Sequence, residues 1–157
     1  MVAPDKKRQD LEKLALVRFK EVAYHYSPIV YDKQGATNRI AQLGRSYFQF
    51  GDLRVDTSQR HIIVEVESAG GVTNLVKYWY CLEERHIAKP IHLLHIFAQA
   101  SENDYIRHLH LWDSLAAKMS NDLGNMFTAK RYTYRSSTEL EVVVSEFEGI
   151  LKREFGR

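Results

Sequence analysis

Two glutamates one residue apart, Glu65 and Glu67, stand in the apolar run His61-Ile62-Ile63-Val64-Glu65-Val66-Glu67. Residues i and i+2 of a strand point to the same face, so the two carboxylates converge on one spot. An unpaired carboxylate in an apolar setting costs several kcal/mol. Two such charges held close together call for something positive between them. A divalent metal answers that need, and clustered carboxylates suit Mg²⁺ or Mn²⁺, which prefer oxygen ligands and keep waters for substrate phosphates.

A hairpin must position these groups. Leu53 to Asp56 and His61 to Glu67 read as its two strands, joined by the polar turn Thr57-Ser58-Gln59-Arg60. Centring the turn on Ser58 and Gln59 pairs Val55 with Ile62, Leu53 with Val64 and Asp52 with Glu65. This register is expected to gather every apolar residue of the two strands on one face, because a one-residue slip would scatter them. It also adds Asp52 to the glutamate pair, making an acidic trio. Asp56 points the same way but lies across from His61 at the turn end, where it reads first as a turn residue.

Helical spacing of Leu11, Leu14, Ala15, Phe19 and Val22 predicts an amphipathic helix from about Asp5 to Ala23. Tyr24 to Leu43 mixes a short strand (Ile29 to Tyr31) with loop, and Ser46 to Phe50 is aromatic and strand-like. Gly51 then interrupts as a bulge or bend. After the hairpin, Ser68-Ala69-Gly70-Gly71 ends the strand and a helix runs from about Thr73 to Arg85. A second apolar strand, Ile91 to Phe97, follows Pro90. Ser101 with Asp104 resembles a capping box opening a helix to about Met119. Thr128 to Arg135 reads as an edge strand or extended loop, and Ser137 as the cap of a last helix. The order predicts an α/β fold, one domain with a sheet covered on both faces.

The chain has 157 residues, with 45% hydrophobic and 27% charged, which suits a soluble domain able to bury a core. A net charge of +2 is too small to require a polyanionic partner. One cysteine, Cys81, excludes an internal disulfide and suits a reducing compartment. With no long apolar run and no signal-like start, the expectation is a cytoplasmic protein that does not enter a membrane.

The arrangement resembles the PD-(D/E)xK nuclease superfamily, the restriction endonuclease-like fold, over roughly Leu11 to Ala98. That superfamily has an Asp at the start of its second strand and a (D/E)-x-K tripeptide in the third. Asp52 matches the Asp and Glu65 the acidic residue. Glu67 falls where the lysine is expected, giving E-x-E, and Gly51 replaces the usual Pro. The resemblance implies a mixed sheet flanked by helices, with residues 101–157 as a helical extension. It implies metal-dependent hydrolysis of DNA phosphodiesters, with Asp52 and Glu65 holding Mg²⁺ or Mn²⁺. Glu67, or Lys77 from the following helix, would orient or activate a water. Nucleases of this fold are often dimers, so a homodimer is possible. The missing lysine also admits a catalytically silent nucleic-acid-binding or assembly module, and an unrelated α/β protein with an exposed acidic hairpin remains a third reading.

Other residues have weaker claims. Glu12 and Glu21 on the first helix match an acidic position that related folds sometimes use. Gly70-Gly71 would let a phosphate approach a helix start, with Thr73 and Asn74 touching it from the first turn. Gln99, just past the fourth strand, is a candidate to support the metal-holding residues from behind or to face DNA. Lys6, Lys7, Arg8 and Lys13, then Lys33, Arg39 and Arg45, and finally Lys130, Arg131 and Arg135 form basic groups compatible with phosphate binding. The seven histidines do not suggest zinc. His92 and His95 face opposite ways in a strand, His108 and His110 diverge on a helix, and no cysteine pair exists. Cys81 reads as a buried thiol, and Tyr78 and Trp79 as core.

Overall fold

A computed structural model of the chain describes residues 2–32, 39–69 and 71–156, with side chains omitted at 39, 40, 42 and 43. Lys33, Gly35, Asn38 and Gly70 lie outside the described residues, as does the side chain of Arg39. The elements in order are α1 (Pro4–Tyr26), β1 (Tyr31–Asp32), β2 (Arg39–Leu43), β3 (Ser46–Gln49), β4 (Leu53–Asp56), β5 (His61–Glu67), α2 (Asn74–Glu83), β6 (Ile91–Ala98), α3 (Ile106–Leu123), β7 (Phe127–Tyr134) and α4 (Ser137–Phe155). One 3₁₀ turn at Gly124–Met126 links α3 to β7.

Five strands form a mixed sheet in the order β1-β4-β5-β6-β7, while β2 and β3 pair as a separate hairpin. The β4–β5 pair is antiparallel with Leu53 opposite Val64, Val55 opposite Ile62 and Asp56 opposite His61, the register expected from the turn. Thr57 closes that turn: its amide donates to the Arg60 carbonyl at 2.9 Å, and its hydroxyl accepts from the amides of Gln59 and Arg60, both at 3.1 Å. β5 and β6 run parallel, with Glu65 beside His95 and Glu67 beside Phe97. β7 lies parallel to β6 on the outer edge, so the segment after 101 adds a strand to the sheet and is not solely a helical extension.

Each sheet face buries its own core. Ile62, Val64, Val66, Leu94 and Ile96 pack under α1 and α4, which contribute Ala15, Phe19, Val144 and Phe147. Ile63, Leu93 and Phe97 pack under α2 and α3 with Leu75, Tyr78, Trp112 and Met119. Ile63 therefore corrects the expectation of a single apolar face on the hairpin. It shares the glutamates' face, where α2 provides an apolar cover.

Several boundaries move for local reasons. The Ser101–Asp104 motif makes a turn before the helix, with the Asp104 carboxylate accepting from the amides of Ala100 at 2.6 Å and Ser101 at 3.2 Å. Tyr105 then takes φ 66°, so α3 starts only at Ile106. The last helix is capped by Ser136, whose hydroxyl accepts from the Glu139 amide at 3.2 Å, and Ser137 is its first residue. Among the described residues no helix is long and apolar enough to cross a membrane.

Candidate metal centre

At the carboxyl end of β5 the sheet opens into a cleft of about 250 Å³, bounded by Glu12, Gln49, Gly51, Asp52, residues 65–69, Asn74 and Lys77. The acidic trio read from the hairpin lies on its wall. The paired register ends at Leu53–Val64, short of the expected Asp52–Glu65 pair: Asp52 lies just before β4, and its amide donates to the carbonyl of the same Val64 at 2.9 Å. Its carboxylate Oδ2 accepts from the Val66 amide at 2.8 Å, which fixes the side chain over the strand that carries both glutamates. Gly51 makes this approach possible. It adopts φ +74°, and a Cβ there would lie 2.4 Å from Ile63 Cγ2 and 2.9 Å from the Val64 carbonyl oxygen.

Glu65 is 5% exposed. Its Oε1 accepts from Lys77 Nζ at 2.6 Å, while its Oε2 is buried outside any well-aligned hydrogen bond. Burial holds the Glu65 carboxyl above the ordinary value, and the charge and hydrogen bond of Lys77 only partly offset that. Lys77 in turn lies over the Tyr78 ring, 5.1 Å from its centroid. Burial, and then the nearby Glu65 charge, push the Tyr78 hydroxyl well above its usual value. That hydroxyl lies close enough to the Glu65 carboxylate for a hydrogen bond between them to add to the shift, although the contact is not a well-aligned one.

Glu67 is held from two sides through one oxygen. Its Oε1 takes the Asn74 side-chain amide and lies 3.2 Å from His95 Nε2. The tight loop into α2 matters here, because a Cβ on Gly71 would fall 2.6 Å from Glu67 Oε1 and 2.8 Å from Asn74 Nδ2. Glu65, Glu67 and His95 each present a donor atom, and those atoms lie within 4.8 Å of one another, so this buried cluster could hold a metal ion.

The structure thus brings Asp52, Glu65, Glu67, Lys77 and Asn74 together, and adds Glu12 from α1 at the cleft wall. It places the other candidates elsewhere. Asp56 binds His61 Nδ1 at 2.6 Å and Arg54 Nε at 3.1 Å at the turn end. Burial alone would raise its carboxyl, but the His61 hydrogen bond and the His61 and Arg54 charges outweigh that and hold it low. Gln99 is buried and donates to the Asp104 carbonyl at 2.8 Å, so its amide braces the turn before α3. Thr73 is exposed beside Phe48, Val76, Lys77 and Tyr80 and does not line the cleft that holds the carboxylates. Glu21 pairs with Arg18 on the surface. Cys81 is buried, and burial pushes its thiol up to about 11, as fits a core residue.

Two site residues were not anticipated. His95 enters through the β5–β6 register, and Trp112 on α3 donates its indole N–H to His95 Nδ1 at 2.9 Å. Spacing against His92 alone could not reveal this. His92 does face the other way, bonded to Thr128 Oγ1 at 2.7 Å, but the relevant neighbour of His95 is Glu65. Much of the expected basic surface is already paired: Arg8 with Asp5 and Asp104, Lys130 with Glu146, and Arg131 with Asp113.

No family model matches the chain, and neither the curated proteins nor the solved structures yield a match.

Proposed function

We propose that this protein is a metal-dependent nuclease that hydrolyses DNA phosphodiester bonds, built on a restriction endonuclease-like plan. The observation that carries the reading is Glu65: a buried carboxylate in a cleft, with one oxygen outside any well-aligned hydrogen bond and its charge incompletely offset by Lys77. A hydrogen-bonded Asp52 and a doubly held Glu67 flank it. A donor set made of carboxylate oxygens suits Mg²⁺ or Mn²⁺. Asp52 and Glu65 would hold the ion, with Glu67 beside them, an oxygen within 4.8 Å of one of Glu65, so that its placed charge adds to the binding.

A bound divalent ion supplies Lewis-acid stabilisation of the phosphate in such a site. The chain's own groups do the rest. Glu67, fixed by Asn74 and His95, orients a water and accepts its proton as the water oxygen bonds to phosphorus. One P–O ester bond breaks, and the leaving oxygen takes up a proton from solvent. Lys77 occupies the role of the missing tripeptide lysine, placing a positive charge 2.6 Å from the same carboxylate. In chain order β1, β4 and β5 are the first three strands of the five-stranded sheet, followed by α2 and β6; this supports the plan, since Asp52 directly precedes the second of these strands and E-x-E lies in the third.

One observation favours a second reading. Glu67 stands where the resembled superfamily carries lysine, and a catalytically silent DNA-binding or assembly module would follow if Lys77 serves only to neutralise Glu65. Incubation with supercoiled, linear and branched DNA in Mg²⁺ or Mn²⁺, beside Glu65→Ala, separates the two. Cleavage lost in the variant supports the nuclease. DNA binding in EDTA with no cleavage of any substrate supports the silent module.

A further inference from the structure

His95 stands within ligand distance of the acidic pair, and proximity alone would make it a nitrogen ligand. Its hydrogen bonds decide otherwise. An indole N–H can only donate. Trp112 Nε1 lies 2.9 Å from His95 Nδ1, so Nδ1 must accept, and the ring carries its proton on Nε2. That proton faces Glu67 Oε1 at 3.2 Å. The ring is fully buried and has little freedom to turn. It packs against Phe97 with centroids 4.6 Å apart and meets Trp112 edge-on at 6.2 Å.

We propose that His95 serves this site as a hydrogen-bond donor that positions Glu67, not as a metal ligand, with Trp112 fixing the tautomer that makes it so. An Nε2 that bears a proton has no lone pair for a metal. The Trp112–His95–Glu67 chain therefore removes the one nitrogen donor from the cluster and leaves carboxylate oxygens, which biases the centre towards Mg²⁺ or Mn²⁺ and against zinc. Asn74 reinforces the same orientation by donating to the same Glu67 oxygen. The purpose of the chain rests on the metal reading above, whereas its geometry does not.

Nitrogen-15 NMR of the histidine rings tests this directly in the intact protein, first in EDTA and then with Mg²⁺ or Zn²⁺. The expected result is a neutral His95 ring protonated at Nε2 without metal, with Nε2 keeping its proton when either ion is added. A ring protonated at Nδ1, or an Nε2 that loses its proton to bound Zn²⁺, would overturn the proposal. If Mg²⁺ leaves the Glu65 and Glu67 carboxyl carbons unmoved, the metal reading fails, while the metal-free spectrum still decides the tautomer. Variants add a second readout through Mg²⁺ affinity by calorimetry. His95→Gln, whose amide can donate towards Glu67, should retain affinity, and His95→Leu should lose about tenfold, the scale of outer-shell effects. Equal loss in both variants would contradict a donor role.

Discussion

Lys77 and Glu65 answer for each other. Removing the lysine in Lys77→Met leaves a buried carboxylate without its cation, and the expected loss is about 2–3 kcal/mol, below the fully buried case because Lys77 is partly exposed. The double variant Lys77→Met/Glu65→Gln should recover most of it, as urea unfolding in EDTA will show. The pH dependence has a definite sign. Glu65 is raised in the folded state above its ordinary 4.5, so the fold binds that proton more readily than the unfolded chain. The cost of the ionised carboxylate is full above the raised value, shrinks as pH falls through it, and is gone below 4.5. The deficit of Lys77→Met should therefore narrow on acidification from neutral pH. A deficit that widens would mean the carboxylate is better compensated than its surroundings indicate.

Elements deliver these side chains, and two glycines show how closely. Gly51→Ala places a Cβ against Ile63 and the Val64 carbonyl in a left-handed conformation, and should cost about 2 kcal/mol or more of stability. Gly71→Ala acts on the site instead. Its Cβ would displace the Glu67–Asn74 pair, so Mn²⁺ affinity should fall by about tenfold with little change in the unfolding midpoint. The hairpin was legible in the sequence because a four-residue turn sets its register locally, and the pairs from Asp56–His61 to Leu53–Val64 followed from that alone, whereas the bend at Gly51 shifts Asp52 off the register that would set it opposite Glu65. The pairing of Glu65 with His95 was not, because β5 and β6 are joined across α2 and no local turn fixes their register. Trp112 was not legible as a donor either, since its partner arrives from another element. Gln99 failed in the opposite sense. A polar residue after a strand looks available, yet its amide is spent on the turn that Asp104 organises.

At the scale of the molecule, two cores hold the sheet from both sides, and the cleft opens where β5 ends between α1 and α2. The buried carboxylates Asp52 and Glu65 both line this cleft. An ion bound there stabilises the native state by mass action. Mn²⁺ at a hundredfold excess over its dissociation constant contributes about 2.7 kcal/mol, or a rise in Tm of about 5–10 °C for a domain of this size. Glu65→Ala should show no such rise. The apolar face beneath α4 is independent of the site: Phe147→Ala should cost about 3–4 kcal/mol while leaving Mn²⁺ affinity unchanged, as denaturation and calorimetry can measure separately.

The most direct measurement of the central claim is cleavage of supercoiled DNA by the purified protein in Mg²⁺ or Mn²⁺, with Glu65→Ala alongside. The account predicts nicking or linearisation by the wild type that stops in EDTA and is lost in the variant. Cleavage that persists undiminished in Glu65→Ala would contradict it.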